Sequence, residues 1–385
     1  MAGPLNGVRI IDITTMLMGP SATQLLGDLG AEIIKIESSD GDPMRYLGPM
    51  RNPGMGPLYL NSNRNKRSLV LDLKDSKDLQ SLLELITTAD VFISNLRLAS
   101  LERLGLSADK LCKTQPRLIH CTAEGYGDGG PYSGRAAYDD MIQAQCGLSG
   151  LFSQIEIEPK LLPINLCDRI TGMQLANTVL AALFERERSG LGQSIKCAMF
   201  ETMVNFVMAD HMGGSSFLPS LGPPGYARLM SKARKPFRTR NGYLCAAIYT
   251  DEHWRRFLVY LGEETILQND YRFKNIESRI HNADIVLPWI GQKIEKRTSE
   301  EWISIFNELD IPAAKVNSLG DLLNDEHLKT TGFYETYEHP TEGPIITMRN
   351  PTFWSRTAPQ TRRLAPNLGE ANPELTALLQ SKPKY

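Results

Sequence analysis

Two kinds of side chain in this sequence sit where their types and spacing could do chemistry. The first is an acid. Asp168 lies in the stretch LLPINLCDRITGMQLANTVLAALFERERSG, between an apolar run at Leu161–Leu166 and a helical pattern from about Arg169 to Arg188. The run, interrupted by Pro163 and Asn165, predicts a short buried strand. In the helix, Ile170, Met173, Ala176, Val179, Leu180, Leu183 and Phe184 recur at helical spacing. Arg186, Arg188 and then Gly190 mark its end. Asp168 is therefore expected at a strand-to-helix junction, at or near the N-cap. An aspartate there satisfies free backbone N–H groups. In an α/β protein it also faces the strand ends where ligands bind, and a carboxylate kept ionised by a helix N-terminus can act as a nucleophile. The two roles are compatible. Its neighbour Cys167 would point to the opposite face of such a strand and has no histidine nearby in sequence, so it is expected in the core.

The second kind is cationic. Ser62–Lys74 (SNRNKRSLVLDLK) places Arg64, Lys66, Arg67 and Lys74 around an alternating apolar strand. Such a cluster is either a solvated strand end or an edge that binds phosphate. Further on, the glycine-rich run Gly125–Pro131 lacks the lysine and serine of a nucleotide-phosphate loop, though it could bring backbone close to a ligand. Tyr138, Asp139 and Asp140 open a helix expected over Tyr138–Phe152.

The elements that must position these residues begin with Val8–Ile13, a strand, followed by a helix opened by Gly19-Pro20 and a second strand at Ala31–Glu37. This βαβ unit predicts a parallel sheet. Its first turn lacks G-x-G-x-x-G, which argues against a nicotinamide dinucleotide. Asp75–Thr88 and Ala99–Leu106 read as helices. Asp90–Leu96, Arg117–Ala123 and Gln193–Met199 read as strands, and Phe200–Met212 as a helix. Residues 211–241 are rich in Gly, Ser, Pro and basic side chains, the composition of a linker. A separate block at 242–325 carries Trp254, Trp289 and Trp302, and the chain from His327 onward has few periodic signals.

Composition narrows the function. The 385 residues are 42% hydrophobic and 22% charged with a formal net charge of −2, so no basic excess recommends a nucleic acid or an anionic membrane as partner. No run approaches the ~18 apolar residues of a membrane span. MAGPLNGVRIIDI enters a strand directly, without a targeting peptide, and SKPKY is not a peroxisomal address, so a cytoplasmic protein is expected. The six cysteines (Cys112, Cys121, Cys146, Cys167, Cys197, Cys245) form no C-x-x-C pair and no zinc spacing, so reduced thiols and no metal are expected.

Several motifs, taken in order, carry a resemblance. They are PLNGVRIIDI…GP, LLGDLGAEIIKIE at 25–37, NRNKRSLVLDL at 63–73 and ISNLRLASLERLGL at 93–106. GYGDGGPYSGRAAYDDMIQAQCGLSG at 125–150 and CDRITGMQLANTVLAALFERERSGLGQ at 167–193 follow, with weaker matches at 240–248 and 311–323. Together they resemble the family III CoA-transferases over nearly the whole chain. The resemblance implies an α/β fold: a Rossmann-like large domain, a smaller α/β domain inserted through linkers, and two subunits interlocked as a homodimer. On that pattern 1–210 begins the large domain, 211–241 is linker, 242–325 is the small domain and 326–385 returns to complete the large one.

It further implies that Asp168 is the nucleophile of a transfer of CoA from an acyl-CoA to a small carboxylic acid, through an acyl-aspartyl anhydride and an aspartyl-CoA thioester. Coenzyme A contacts carry over to Leu71, Asp72, Leu73, Lys74, Asn95, Arg97 and Arg103. Thr15, Tyr138 and Asp139 fall on the substrate side. Thr15 and Leu17 stand where formyl-CoA transferases have His and Gln, and only the Gly222–Gly225 region approximates their glycine loop. This sets oxalate and formyl-CoA aside. Two other readings remain: a 2-methylacyl-CoA racemase, whose histidine base is replaced here by Tyr138, and a CoA-binding protein without chemistry. The basic residues Arg228, Lys232, Arg234 and Lys235 suit either a dicarboxylate such as succinate or a solvated linker.

Overall fold

The first strand, β1 (Arg9–Asp12), is buried at every position, as a strand covered on both faces must be. Five more follow: β2 (Glu32–Glu37), β3 (Lys66–Val70), β4 (Val91–Ser94), β5 (Ile119–Glu124) and β6 (Ser194–Ala198). They form one sheet in the order β3-β2-β1-β4-β5-β6, with every neighbouring pair parallel. The expected parallel sheet is present, in the strand order of doubly wound folds, which opens a ligand crevice where the order reverses between β1 and β4. Ile11, Ile34, Leu69 and Phe92 fill its core together with Leu82, Leu85 and Leu378. The computed structural model describes residues 3–155 and 158–381, so most of the SKPKY stretch lies outside the described residues.

Five helices matter for the site. They are α1 (Met18–Asp28), α2 (Leu98–Leu104), α3 (Asp139–Gln145), α4 (Leu166–Ser189) and α5 (Met199–His211). Two compact units result. Met1–Gly147, Leu161–Phe206 and Lys329–Tyr385 make the first, and Leu148–Lys160 with Val207–Leu328 the second. In the first unit the C-terminal segment lies along the edge strand β3: the Asn65 N–H donates to Arg363 O and the Ala371 N–H to Ser68 O, both at 2.9 Å. The stretch beyond His327 also contains an antiparallel hairpin, Tyr334–His339 with Gly343–Met348, which its weak periodicity did not announce. The second unit has a three-stranded antiparallel sheet of Phe237–Thr239, Gly242–Ala246 and Ala313–Lys315. Trp254, Phe257, Trp302 and Phe306 form its core, and the Trp302 indole N–H is satisfied by Ile294 O at 2.7 Å. Phe237–Thr239 falls inside the stretch read as linker.

Three expectations are corrected. Leu161–Leu166 is not a strand. Leu161 and Ile164 are 48% and 59% exposed, and Leu166 already belongs to α4. The free side of β5 is taken by β6, and Pro163 has no N–H to offer a ladder. Asp168 does lie near the N-cap, in the first turn of α4, as expected. The N-cap itself is Asn165, and Asp168 is the third residue of α4. The helix expected over Tyr138–Phe152 is broken between Gln145 and Leu148, where Gly147 adopts φ +92°.

The third correction concerns the basic cluster, which is neither solvated nor free for phosphate at its centre. Arg64 forks onto Asp28 at 2.8 and 2.6 Å, and Lys66 is buried, reaching Asp12 (3.3 Å), Pro20 O (2.9 Å) and Asn63 Oδ1 (2.8 Å). Arg67 pairs with Glu32 and Glu374, which leaves only Lys74 of the four well exposed. Returning C-terminal chain covers this edge, so alternation alone could not reveal that the cations are inside.

Candidate active site

The carboxyl end of β1 runs into a loop, 13–17, whose backbone is fixed from several sides. Asp12 accepts from the Thr14 N–H (2.9 Å), Thr14 Oγ1 (2.6 Å) and Thr23 Oγ1 (2.6 Å), besides Lys66. Lys35 donates to Thr14 O (2.7 Å) and Asp42 (3.0 Å), while Glu37 receives both Arg45 and Ser68. Asp12, Glu37 and Asp42 thus face Lys35, Arg45 and Lys66 in a fully buried, charge-balanced network. Burial pushes the Asp12 carboxyl up, but the Lys66 and Lys35 charges outweigh it and hold it below its usual range. From β4, Asn95 clamps Thr15 twice, accepting its N–H (3.1 Å) and donating to its carbonyl (2.9 Å) across the β1–β4 reversal. Met16 is held at φ +70°, a left-handed conformation unusual for its type, with its N–H on Asp42 (3.2 Å). The loop ends at Met18, where α1 begins.

Asp168 meets that helix start. The Met18 backbone N–H, one of the free donors at an α-helix N-terminus, is close enough to pull the Asp168 carboxyl pKa down. Gly172, one turn further along α4, explains how the two helices come so close. A Cβ there would lie 2.7 Å from Met18 O and 3.3 Å from Ser21 Cβ. Arg169 adds a hydrogen bond to Ser21 Oγ at 2.9 Å. Gly172→Ala is expected to push α4 off α1 and take Asp168 with it. We expect a loss of about 1–3 kcal/mol in stability and a drop of up to ~10²-fold in turnover, read by thermal denaturation and steady-state kinetics.

A second carboxylate stands beside the first. Asp139 is buried, and its Oδ1 accepts the Asp168 backbone N–H at 2.9 Å while its Oδ2 accepts from Gln143 Nε2 at 2.7 Å. Gln143, fully buried, also accepts from the Leu162 N–H at 2.8 Å and donates to Ile164 O at 3.2 Å. One amide side chain therefore pins both Asp139 and the irregular segment that leads into α4. Burial first, and then the charge of Asp139, raise the Asp168 carboxyl to about 6 against the opposing pull of Arg169 and the Met18 N–H. Such a carboxylate is ionised at neutral pH and more basic than an exposed one. Cys167, between these groups, is fully buried and its thiol is pushed far up by its contact with Cys146 and by burial. It is in the core as expected, although on a helix rather than a strand.

A cavity of about 640 Å³ opens at the reversal point, lined by Thr15, Met16, Met18, Asn95, Arg97, Arg135, Tyr138 and residues of the glycine-rich run. Met18 thus contributes to this wall and also lies close enough to Asp168 to influence its carboxyl. Of the residues anticipated from sequence, Thr15, Asn95, Arg97 and Tyr138 line the cavity, and Asp139 joins Asp168 just behind Tyr138. Leu71, Asp72, Leu73, Lys74 and Arg103 do not line it. Leu71 is buried in the sheet core, and the other four lie at the ends of β3 and α2. Sequence reasoning missed Arg135, which stacks over Tyr132 and faces the cavity from the glycine-rich loop. It also missed Gln143. The signal for Arg135 was a lone cation directly after a glycine-rich run; Gln143 gave none, because a buried glutamine on a helix shows no pattern. The loop's own backbone is only partly available, since the Gly127 N–H is taken by the Glu201 carboxylate at 3.0 and 3.1 Å.

The sequence model of CoA-transferase family III matches residues 5–372. The chain belongs to that family. Human succinyl-CoA:glutarate CoA-transferase is 28% identical over 371 residues, covering 95% of this chain and 84% of that protein. A probable fatty acyl-CoA transferase of Mycobacterium tuberculosis is 32% identical over 317 residues, covering 79% and 80% of the two chains. Among solved structures, a CaiB/BaiF family protein from Brucella suis superposes with a TM-score of 0.83 at 27% identity, over 98% of this chain and 100% of that one. An aspartate-to-alanine mutant of the M. tuberculosis protein does so at 0.84 and 28%, over 97% and 98%. As a family III transferase the chain acts on acyl-CoA. Among its described residues no group of His, Cys, Asp and Glu is arranged to hold a metal, and no helix is long and apolar enough to cross a membrane.

Proposed function

We propose that this chain moves CoA from an acyl-CoA to a free carboxylic acid, with Asp168 as the nucleophile. One observation carries the reading: a carboxylate raised to about 6, set beside Asp139 and against the start of α1, whose Met18 lines the sheet's ligand crevice. Asp168 attacks the thioester carbonyl, the C–S bond breaks, and an acyl-aspartyl anhydride forms with release of the CoA thiolate. The thiolate attacks the aspartyl carbonyl of the anhydride, expelling the donor acid and leaving an aspartyl-CoA thioester. The acceptor carboxylate attacks that thioester, and the C–S bond breaks to give a second aspartyl anhydride and free thiolate. The thiolate attacks the acceptor's carbonyl to give the new acyl-CoA and expel the Asp168 carboxylate. Covalent attachment divides one difficult exchange into several acyl transfers. At the start of α1 the Gly19 N–H is the donor left to stabilise a developing oxyanion, since Pro20 has none and the Ser21 N–H bonds Leu17 O.

Arg97 and Arg135 are the cavity's cations and suit the CoA phosphates, with Asn95 holding the loop beneath them. Relatives are named for succinyl-CoA with glutarate or L-malate, so a short dicarboxylate is the first acceptor to test. Tyr138 stands where a racemase would carry its histidine base, which favours transfer over racemisation. We further propose that the working form is an intertwined homodimer, for which Met173 and Phe184, 58% and 64% exposed on α4, supply apolar surface. All six cysteines are thiols, as suits the cytoplasm.

The test is trapping. Hydroxylamine added during turnover should convert Asp168 alone to a hydroxamate, seen by peptide mass spectrometry; labelling elsewhere, or none, contradicts the reading. The rate should also fall as pH drops through about 6, because protonation removes the nucleophile. A profile flat down to pH 4.5 would contradict a carboxylate nucleophile with this pKa.

A further inference from the structure

The second unit contains a pocket that plays no part in the chemistry above. It holds about 70 Å³ between the strand end at Ala246–Tyr249 and the helices Ile276–His281 and Ala283–Ile294. Trp254, Ile276, Ile280, Val286 and Ile290 make its wall apolar. Two arginines reach it, in different electrostatic states. Arg279 is buried and neutralised: it pairs with Asp251, donates to Phe273 O at 2.9 Å and lies over the Trp254 ring. Arg228 is half-buried and stacked on Tyr249, 4.8 Å from the ring centroid, and among the described residues it has no ion pair. Asp284, beside the lining residue Ala283, is engaged by Ser231 at 2.6 Å instead.

An apolar pocket with one unneutralised guanidinium selects a ligand with the opposite arrangement, a short alkyl chain ending in a carboxylate. We propose that the second unit binds a free short-chain carboxylic acid here, with its carboxylate on Arg228 and its alkyl chain among Ile276, Ile280 and Ile290. The planar fork of arginine donates two parallel N–H groups to a carboxylate, and the Tyr249 face keeps that plane fixed and partly dry. Lys232, Arg234 and Lys235 do not line this pocket, which singles out one cation from the basic stretch noticed in the sequence. The pocket shares no residue with the cavity beside Asp168, so the proposal stands whether or not Asp168 is the nucleophile.

Calorimetric titration of the full chain with butyrate and with its neutral isostere butyramide tests this. Butyrate should bind at least tenfold more tightly. Arg228→Met should reduce butyrate to the level of butyramide, and Ala283→Leu, which fills the pocket, should abolish both. Asp168→Asn should leave butyrate binding unchanged. Equal binding of the two probes, full discrimination in Arg228→Met, unaltered binding in Ala283→Leu, or loss of butyrate binding in Asp168→Asn each overturns the proposal. The last of these would move the acid to the reaction centre without touching the transferase reading.

Discussion

Asp168→Asn is expected to abolish CoA exchange and, at the same time, to make the protein more stable at neutral pH. Activity should fall on the order of 10³-fold or more, since the amide cannot form the anhydride. Stability should move the other way. Burial and the neighbouring Asp139 raise the Asp168 carboxyl from 3.8 to about 6 in the folded chain. An acid with a raised folded pKa costs stability when ionised: the full cost applies above about 6, it shrinks as pH falls, and below 3.8 it is gone. A rise of that size corresponds to about 1–3 kcal/mol. Asparagine keeps the size of the side chain and removes the charge, so denaturant titrations should show a gain at pH 8 that vanishes by pH 3.8. A variant that is inactive and equally stable at both pH values would mean that the carboxylate is not under this tension. Function and stability oppose each other at this residue because the features that make the carboxylate reactive also destabilise its charge.

Lys66→Met is the second large effect, and it separates two meanings of the same basic cluster. If Lys66 served a phosphate of CoA, the variant would fold normally and show a raised KM. Its ammonium is instead fully buried against Asp12, Pro20 O and Asn63. Burial pulls it down to about 8 in spite of Asp12. Removing it strands the Asp12 carboxylate in the interior, a loss of about 3–5 kcal/mol by the usual cost of breaking a buried pair. Asp12 also fixes Thr14 and Thr23, so the loop ahead of α1 should loosen and turnover should drop along with the melting temperature. A normal melting temperature with a raised KM for acyl-CoA would restore the phosphate reading.

These two residues mark how far the sequence could be read. The strands and helices of the βαβ frame were legible because buried parallel strands are continuous apolar runs, bounded here by Gly30 and by the polar residues ahead of each helix. Asp168 was legible as a candidate because an acid next to a strongly periodic helix is rare enough to notice, and the motif resemblance gave it a role. Its setting was not. Placing it on a strand end followed from an apolar run whose exposure only the packing revealed, and that run is tied down by Gln143, a residue with no pattern of its own.

The sequence by itself determined the parallel sheet, the long helix carrying Asp168 and the family to which they belong, because periodicity and ordered motifs are local properties. The tertiary structure decided which charges are buried and which are free, since burial depends on chain arriving from elsewhere. Lys66 is inside because returning C-terminal residues cover the edge of β3. Asp168 comes close to the start of α1 because Gly172 has no side chain to keep the helices apart, and that approach is visible only when residues 18 and 172 are brought together.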